Sequence, residues 1–225
     1  MGKKKKPNAK LKFLNFIPEN AKRILDVGCG DGSFSAHLVE KGCEVVGIDR
    51  DSQVLEQAHT RLTEVYHVDI ENDDLPCEEN SFDCILLADV LDCLVKPEAF
   101  LTRCRKYLKD DGSVVVSFAN IRYYKVITNL LFKGTWDYME PGGILWIHHL
   151  RFYTLVSMKE LFLKCGFNVE AFDRYIYAKG FIVFLNALCL GKLKDLMTYQ
   201  YYFRLRKDTD WTKGSYQVSR KMAHF

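Results

Sequence analysis

Short apolar runs rich in β-branched residues alternate with amphipathic stretches over the first half of the chain. Such runs predict buried strands, and apolar residues three and four apart between them predict helices. Strands are predicted at 23–27, 45–48, 64–68, 82–87 and 113–118, and helices at 31–41, 52–62 and 97–108. Strands that are apolar on both faces and alternate with helices are typical of a parallel sheet covered on both sides. We therefore predict an α/β fold with a single doubly wound, mostly parallel sheet.

The second half of the chain has a different pattern. Residues 119–152 carry many aromatic side chains without clean periodicity and include the turn 141–143, so we interpret them as an insertion over the strand ends. A helix at 155–165, a strand at 167–177, an apolar helical stretch at 181–196 and a last strand at 199–206 are predicted beyond it. The length of 225 residues fits one domain. We expect 1–20 to be a basic tail and lead-in, 21–225 the domain, and 119–152 its active-site insertion or lid.

Charge and cysteine usage restrict the class of protein. The net charge is +3, and the four lysines at 3–6 exceed that surplus by themselves, so a basic nucleic-acid groove is not expected. The eight cysteines include no C-x-x-C pair, which favours reduced thiols in a cytoplasmic protein over disulfides or a zinc site. No signal peptide is recognised, and the longest apolar stretch, 180–190, is too short to cross a bilayer.

The segment Ile24-Leu25-Asp26-Val27-Gly28-Cys29-Gly30-Asp31-Gly32 carries the sharpest motif. A predicted strand leads into a turn whose three alternate glycines permit positive φ and let a ligand touch bare backbone. A predicted helix follows, so that its first amides would point into the crevice where open α/β sheets bind ligands. The pattern predicts a ligand site, with a turn that merely needs glycine as the alternative.

The residues around this turn favour one kind of ligand. A dinucleotide fingerprint requires a glycine at position 33, where this chain has Ser33. Asp26 and Asp31 suit a cation better than a pyrophosphate, and S-adenosylmethionine is a sulfonium without phosphate. Asp49, at the end of the second predicted strand, can accept both ribose hydroxyls of such a nucleoside.

The third predicted strand ends in a further carboxylate. Asp69 can accept from an adenine amino group, and the Ile70 amide can donate to the same ring. Three acidic strand ends around a glycine turn therefore favour S-adenosylmethionine over NAD as the cofactor.

These motifs resemble those of the class I S-adenosylmethionine-dependent methyltransferases. The resemblance covers about residues 22–118, in the segments ILDVGCGDG, VVGIDR, HVDI, DLPCEENSFDCILLADVLDCL and LKDDGSVVVS. It implies a Rossmann-like, seven-stranded sheet whose last strand is antiparallel. It also implies a set of cofactor-binding residues, namely Asp26, Gly28, Cys29, Gly30, Asp31 and Gly32 at the methionine part, Asp49 and Arg50 at the ribose, Asp69 and Ile70 at adenine, and Ala88 and Asp89 beside the methyl group. The family often has Glu-His where this chain has Asp92 and Cys93.

The second half resembles bacterial methyltransferases encoded with surface-polysaccharide functions. The segments that carry this likeness are ANIRY (119–123), GTWDY (134–138), GIL (143–145) and HLRFYT (149–154). The resemblance implies an insertion that covers the active site and a small-molecule or glycan hydroxyl as the acceptor. The candidate acceptor contacts are Asn120, Arg122, Tyr123, Trp136, Tyr138 and His148, with a packed insertion core as the alternative.

A hydroxyl acceptor requires a base that takes its proton. His149 is the candidate base because histidine titrates near neutrality. Arg151, two residues further in an extended segment, faces the same way and is expected to orient the acceptor. Asp89 is the reserve base. Neither His148 nor His149 has metal-ligand spacing to a carboxylate, so no metal is expected.

Three alternatives remain open on the residues alone. The enzyme can act on RNA or protein, although Ala88-Asp89-Val90-Leu91 lacks the pattern of enzymes that methylate nucleobase amines. The chain can be a non-catalytic module that binds the cofactor or a partner. The apolar stretch 181–196, with the lysine tail, can contact a membrane surface instead of packing between the last two strands.

Overall fold

A computed structural model describes residues 9–138 and 143–212 of the chain. The lysine tail at 3–6 and turn residues 141 and 142 lie outside the described residues. The strands are β1 (Arg23–Val27), β2 (Glu44–Asp49), β3 (Glu64–His67), β4 (Phe82–Ala88), β5 (Leu108–Ala119), β6 (Phe167–Ile176) and β7 (Thr198–Lys207). The helices are α1 (Ala9–Leu14), α2 (Ala36–Glu40), α3 (Ser52–Ala58), α4 (Pro97–Tyr107), α5 (Tyr124–Thr128), α6 (Leu155–Lys164), α7 (Phe181–Leu188) and α8 (Lys194–Met197), with a 3-10 turn at Leu91–Cys93 and a π-helical turn at Asn129–Lys133.

The seven strands form one sheet in the order β3-β2-β1-β4-β5-β7-β6. Strands β1 to β5 pair in parallel, whereas β7 is antiparallel to both β5 and β6. The predicted α/β sheet of seven strands is thus confirmed, as a mixed sheet with one reversed strand. The chain runs outward from β1 to β3 and then returns to β4 on the other side of β1. This reversal of strand order creates a crevice at the carboxyl ends of β1 and β4, the usual ligand site of such sheets.

Alternate strand residues enter two separate cores, one on each face of the sheet. Leu25 and Ile85 belong to one core, while Ile24, Leu86 and Val115 belong to the other, and all five are fully buried. This double burial explains why the strands are apolar at successive positions, and it holds their ends rigidly at the crevice.

Two predicted boundaries differ from the structure near the glycine turn and β5. The helix predicted from residue 31 begins only at Ala36, because Gly32 has a φ of 73° that a right-handed helix does not admit. Strand β5 begins at Leu108 rather than 113, since Leu108 pairs with Phe82 before a register shift. The predicted stretch 181–196 is divided between α7 and α8 at Gly191, whose φ is 81°.

The folded domain begins before residue 21. Phe13 of α1 is buried in the core beside the sheet. Its ring centroid lies 5.6 Å from that of Phe34 and 6.3 Å from that of Tyr202. Phe16 and Ile17 pack against the same core, so ordered structure extends upstream of the predicted domain start at 21.

The segment between β5 and α6 crosses the carboxyl edge of the sheet. Its two ends meet where the Ile121 amide donates to the Tyr153 carbonyl at 3.0 Å. Its far part is tied to the 3-10 turn, because the amides of Leu150 and Arg151 donate to the Asp92 carbonyl at 2.8 and 2.9 Å. Within the described ranges, none of the helices has the length and apolar character needed to cross a membrane.

Candidate active site

Two cavities, of about 300 and 570 Å³, open at the carboxyl ends of β1 and β4. Both are lined by Gly28, Ala88 and Asp89, so they are two lobes of one crevice. The Asp26 lobe is further lined by Phe13, Asp26, Cys29, Phe34, Ser117, Gln200 and Tyr202. The Asp49 lobe is further lined by Ile48, Asp49, Arg50, Asp51, Val68, Asp69, Ile70, Glu71, Val90, Cys93, Leu94, Trp146 and His148.

The glycine turn is fixed to the end of β2 by its own backbone. The amides of Gly28 and Cys29 both donate to the Ile48 carbonyl, at 2.8 and 3.1 Å. Gly28 and Gly30 have φ values of 70° and 54°, which explains the choice of glycine at both positions. A Cβ on Gly28 would also approach Val90 Cγ2 to 3.2 Å across the crevice. The turn therefore presents bare backbone to a ligand.

The Asp49 carboxylate is oriented before any ligand arrives. Its Oδ2 accepts from the Gly30 amide at 2.9 Å, and its Oδ1 accepts from the Asp51 amide at 3.0 Å. A carboxylate has about four acceptor positions, so lone pairs remain for two ribose hydroxyls.

Asp69 lies in the same lobe. Its Oδ2 accepts from the Asn72 amide group at 2.7 Å and its Oδ1 from the Glu71 backbone at 3.1 Å. The hydrogen bond from Asn72 is the main cause that lowers the pKa of Asp69. The side chain thus stays an ionised acceptor at the position predicted to meet adenine.

Asp26 is the buried carboxyl group of the other lobe, with an exposed fraction of 2%. Its Oδ2 accepts from Ser35 Oγ at 2.6 Å. Burial is the main cause that raises the pKa of Asp26 to about 7. The Ser35 hydrogen bond lowers this pKa, and the negative charge of Asp49 raises it further. A cationic ligand in this lobe would favour the ionised form, so the site suits an ammonium or sulfonium group.

The charges of the crevice fit S-adenosylmethionine. Carboxylates line both lobes, and Arg50 is the one arginine or lysine among the lining residues. This cofactor, when bound, supplies a methyl group activated by the positive sulfur. Asp26 and the turn of Gly28 would hold its amino-acid part, and Asp49 and Asp69 its nucleoside.

The pKa of Asp26 makes ligand affinity depend on pH. Below about pH 7 the free protein must lose a proton from Asp26 before the carboxylate can pair with an ammonium group. The ligand's α-amino group, with an ordinary pKa of about 7.7–8.0, stays protonated there. We expect the affinity for S-adenosylhomocysteine, measured by calorimetry, to rise by nearly tenfold between about pH 5.5 and 6.5 and to level off above about pH 7.

Stability of the free protein should follow the opposite trend. The folded state binds the Asp26 proton more tightly than the unfolded chain does. The free energy of unfolding therefore falls as pH rises from about 4 to about 7. The Asp26→Asn variant is the control, and its ligand affinity should not change between these pH values. A pH dependence that persists in Asp26→Asn would show that another group is responsible.

Asp89 is held at the junction of the two lobes. Its φ of 56° is a left-handed conformation that costs energy for a residue other than glycine. Its Oδ1 accepts from Ser117 Oγ at 2.7 Å and from Gln200 Nε2 at 2.7 Å, and its Oδ2 lies 2.9 Å from the same Gln200 nitrogen. The Tyr202 hydroxyl donates to Gln200 Oε1 at 3.0 Å and fixes the orientation of that amide. Side chains from β5 and β7 thus preorganise one carboxylate in the crevice.

His149 does not lie where a general base is needed. It is buried, with an exposed fraction of 6%, and lines neither lobe. Its Nδ1 is bonded to the Ile144 carbonyl at 3.0 Å, and its Nε2 faces Asp92 Oδ2 at 3.9 Å. The structure therefore corrects the prediction, because both ring nitrogens face groups of the protein.

Arg151 also lies away from the crevice. Its side chain donates to the Val95 carbonyl at 2.6 Å, before α4. Arg151 lines neither lobe and is exposed while His149 is buried, so the two side chains do not face the same way, and a role of Arg151 toward the acceptor stays a prediction.

Asp31 and Gly32 of the glycine motif make contacts that stabilise the fold. Asp31 pairs with Arg61 at 2.5 Å, and its pKa falls to about 2, chiefly through hydrogen bonds from Ser33. A Cβ on Gly32 would approach Leu62 to 3.1 Å and the Ala58 backbone to 3.2 Å. Gly30, Asp31 and Gly32 line neither lobe, and their contact with the cofactor stays a prediction.

Most of the predicted acceptor contacts are engaged elsewhere. Asn120 is completely buried and donates to the Asp195 and Thr198 carbonyls at 2.8 and 2.9 Å. Arg122 pairs with Asp195 at 2.8 Å. These contacts correct their assignment to the acceptor.

The aromatic candidates have different positions. Trp136 packs edge-on against Phe152, with 5.3 Å between ring centroids, and Tyr138 is exposed. Tyr123 lines a third cavity outside the crevice, and of the six candidates only His148 lines the crevice itself. His148 lies there beside Trp146, at 4.8 Å between ring centroids. Within its described residues, the insertion thus lines the Asp49 lobe through Trp146 and His148.

Sequence reasoning missed Ser117 and Gln200, the two partners of Asp89. Gln200 pairs with Ala119 in the sheet, so the start of the reversed strand β7 meets the carboxyl end of β5. The signal in the sequence was Gln200 itself, the one amide side chain in the otherwise aromatic run 199–203.

Metal and thiol chemistry have little support in the described parts of the chain. No group of three or more His, Cys, Asp or Glu side chains there could hold a metal ion, and the absence of a metal stays a prediction. Cys29 lines the Asp26 lobe, but burial and the Asp26 charge raise the pKa of its thiol to about 12. It is thus protonated at neutral pH and a poor nucleophile.

Comparison with known families identifies the class of protein. Residues 3–171 match the model of a methyltransferase domain. The chain belongs to this methyltransferase family. The predicted class, an S-adenosylmethionine-dependent methyltransferase, and its predicted cofactor are thereby confirmed.

Curated relatives and solved structures agree with this assignment. The chain is 32% identical over 158 residues to a ubiquinone biosynthesis O-methyltransferase of Cereibacter sphaeroides, covering 68% of this chain and 62% of the relative. It is 28% identical over 145 residues to the Acinetobacter baylyi protein of the same name, covering 56% and 61%. The chain thus spans about three fifths of these relatives. An S-adenosylmethionine-dependent methyltransferase from Archaeoglobus fulgidus shares the fold, with a TM-score of 0.65, 17% identity and 88% and 92% coverage of the two chains.

Proposed function

We propose that the protein methylates a phenolic hydroxyl of a small molecule, with Asp89 as the group that takes the hydroxyl proton. The position of Asp89 carries this proposal, because its carboxylate lies where the two lobes of the crevice meet. The O-methyltransferase names of the relatives support oxygen as the methylated atom.

Asp89 has the properties that such a role requires. Ser117 and Gln200 fix the carboxylate, and Oδ1 accepts a bond from each of them. Oδ2 receives only the longer contact from Gln200, so it retains acceptor capacity for an acceptor hydroxyl. As the hydroxyl oxygen becomes bonded to carbon its proton becomes strongly acidic, and a carboxylate in contact can accept it. The resulting Asp89 carboxylic acid can return the proton to solvent after product release.

The surroundings of Asp89 favour an aromatic ring over a sugar. Phe13, Phe34 and Tyr202 line the Asp26 lobe, where they offer ring faces or edges to a flat acceptor beside the amino-acid part of the cofactor. A sugar needs many hydrogen-bond partners, but Asn120 and Arg122, two of its predicted polar contacts, are engaged within the protein. The glycan acceptor therefore has less support than a phenol, and the insertion is proposed to cover the crevice through Trp146 and His148.

Membrane contact stays a proposal, supported by exposed apolar side chains on two helical segments. Leu131 and Phe132 of the π-helical turn and Phe181 and Leu188 of α7 are all largely exposed. The charged residues of 121–138 and 179–195 are Arg122, Lys125, Lys133, Lys179, Lys192 and Lys194 against Asp137 and Asp195, of which Asp195 pairs with Arg122. This balance suits an anionic lipid surface. Sedimentation with phosphatidylserine vesicles, but not with phosphatidylcholine vesicles, is expected; equal recovery without vesicles would contradict it.

The direct test of the proposed function is methyl transfer to model acceptors. Incubation with labelled S-adenosylmethionine and catechol should yield the O-methyl ether, identified by mass spectrometry, whereas methyl glucoside should remain unlabelled. Labelling of the glucoside, or of an RNA or protein fraction in place of catechol, would overturn the proposal. Binding of S-adenosylhomocysteine without turnover of any acceptor would instead indicate a non-catalytic module.

A further inference from the structure

Trp146, a tryptophan of the insertion, lies in the wall of the Asp49 lobe. The same wall carries Asp49 and Asp69, which would hold the nucleoside of the cofactor. The other described residues of this wall include no phenylalanine, tyrosine or tryptophan. The indole of Trp146 is therefore the largest flat apolar surface that these residues offer to a ligand in this lobe.

The backbone of the insertion holds Trp146 in place. Ile144, just before it, is buried. The Trp146 carbonyl accepts from the His149 amide at 2.9 Å, which closes a tight turn, and the Arg151 amide then donates to the Asp92 carbonyl at 2.9 Å. The indole is thus positioned before a ligand arrives, so that little conformational freedom is lost when one binds.

Side chains connect this turn with the loop after β3. The Arg151 guanidinium donates to the Val95 carbonyl at 2.6 Å. On the other side of the same residue, Glu71 Oε1 accepts from the amides of Val95 and Lys96 at 2.8 and 2.9 Å. The Glu71 amide in turn donates to Asp69 Oδ1 at 3.1 Å. A continuous series of hydrogen bonds therefore runs from the carboxylate assigned to adenine to the segment that carries Trp146.

The lobe matches the chemistry of a purine. Adenine has polar edges and two apolar faces. Asp69 and the Ile70 amide offer hydrogen-bond partners to the edge, while Val68, Leu94 and Trp146 offer apolar surface to the faces. Stacking of a nucleobase on an aromatic ring is a general mode of recognition that needs no further polar group. The proposed methyl transfer by Asp89 leaves Trp146 without a role.

We propose that Trp146 is a cofactor-binding residue whose indole packs against the adenosine part of S-adenosylmethionine. Arg151 and Glu71 are positioning residues, which hold the turn of Trp146 and the loop of Asp69 in fixed relation. The insertion then forms part of the cofactor site. This inference concerns the cofactor alone, and it holds for a phenol, a sugar or any other acceptor.

The first test measures the binding of S-adenosylhomocysteine and of adenosine by calorimetry, without turnover. Trp146→Ala should weaken both by the same factor, between about fivefold and a hundredfold, the usual loss where a nucleobase stacks on an aromatic side chain. Trp146→Phe should stay within about threefold of the wild type. Ile147→Ala is the matched control, because Ile147 is the next residue of the turn, half exposed and outside the lining, and its Kd should not change.

Two results of this test would overturn the inference. An unchanged Kd for S-adenosylhomocysteine in Trp146→Ala would place the indole away from the cofactor. A loss for S-adenosylhomocysteine without a loss for adenosine would place it at the amino-acid part instead.

A spectroscopic test needs only the conservative variant, which keeps a ring in the lobe. The chain has three tryptophans, Trp136, Trp146 and Trp211. Saturation with S-adenosylhomocysteine should change the tryptophan emission of the wild type, and Trp146→Phe should abolish most of this change while it still binds the ligand. Trp211→Phe is the control and should keep the change, because Trp211 packs on Arg105, at 4.8 Å from ring centroid to guanidinium carbon, and lines neither lobe. A full emission change in Trp146→Phe would contradict the inference.

The positioning role of Arg151 is tested by a double-mutant cycle. Arg151→Ala should weaken S-adenosylhomocysteine binding by about threefold to tenfold, the effect of one lost hydrogen bond. Arg151→Lys, which can still donate to the Val95 carbonyl, should restore most of the affinity. In a Trp146→Ala background, Arg151→Ala should cause no further loss, because Arg151 acts through the indole. The same loss in both backgrounds would show independent effects and contradict the positioning role.

Discussion

Replacement of Asp89 by asparagine should lower kcat for catechol by roughly 10²–10⁴-fold, the usual effect of a lost general base. The asparagine amide cannot accept the hydroxyl proton. Its NH₂ group would also take the place of Asp89 Oδ2, 2.9 Å from Gln200 Nε2, so two donors would face each other. Gln200 cannot simply reverse, because its oxygen accepts from Tyr202. The measurement is single-turnover methyl transfer under saturating cofactor, which reads the chemical step without product release.

The matched control for this prediction is His149→Ala. His149 contacts Ile144 and Asp92, so its loss should lower the melting temperature but leave kcat within about threefold. The affinity for S-adenosylhomocysteine should stay within about threefold in both variants. A large loss of kcat in His149→Ala, together with near-normal turnover in Asp89→Asn, would assign the base to His149 and contradict the role of Asp89.

Replacement of Asp49 by alanine should weaken cofactor binding by about two orders of magnitude or more. Each charge-assisted hydrogen bond to a ribose hydroxyl is worth about 1.5–3 kcal/mol. The variant also frees the Gly30 amide, which Asp49 now holds at 2.9 Å, so the glycine turn loses a fixed contact. Calorimetric titration with S-adenosylhomocysteine gives the Kd directly.

Asp51→Ala provides the comparison for Asp49→Ala on the same loop. Asp51 also lines the lobe, but its Oδ1 caps α3 by accepting from the Gln53 amide at 2.9 Å. Its loss should cost about 1 kcal/mol of stability with a Kd change below about fivefold. An unchanged Kd in Asp49→Ala would mean that the ribose is held by other residues.

The sequence predicts the strands and the cofactor half of the crevice well for a physical reason. Residues such as Leu25 and Ile85 are buried on one face of the sheet and Ile24 and Leu86 on the other, which leaves an unbroken apolar run for each strand. The positions after such a run must lie at the same edge of a parallel sheet. Asp49 could therefore be assigned to the crevice without any knowledge of distances.

The acceptor half could not be predicted in the same way. Asn120 and His149 have chemically suitable side chains, but their partners are the Thr198 and Ile144 carbonyls, and backbone groups carry no signal in a sequence. Gln200 was missed for the converse reason. Its role depends on β7 being antiparallel to β5. The start of β7 therefore lies at the edge of the sheet where β5 ends, whereas only the ends of strands are predicted at that edge from the sequence.

The strand order has a consequence for synthesis of the chain. Of the seven strands of the described sheet, β7 is synthesised last, yet it lies between β5 and β6. Until it arrives, β5 has an open edge and β6 has no neighbour in the sheet, so a nascent chain exposes two strands at which another chain can pair. Gln200 and Tyr202 arrive with β7, so the carboxylate of Asp89, already in reach of Ser117 on β5, acquires its second partner when this gap closes. Pairing of β7 with β5 and β6 thus both joins the two parts of the sheet and completes the hydrogen bonds that hold Asp89.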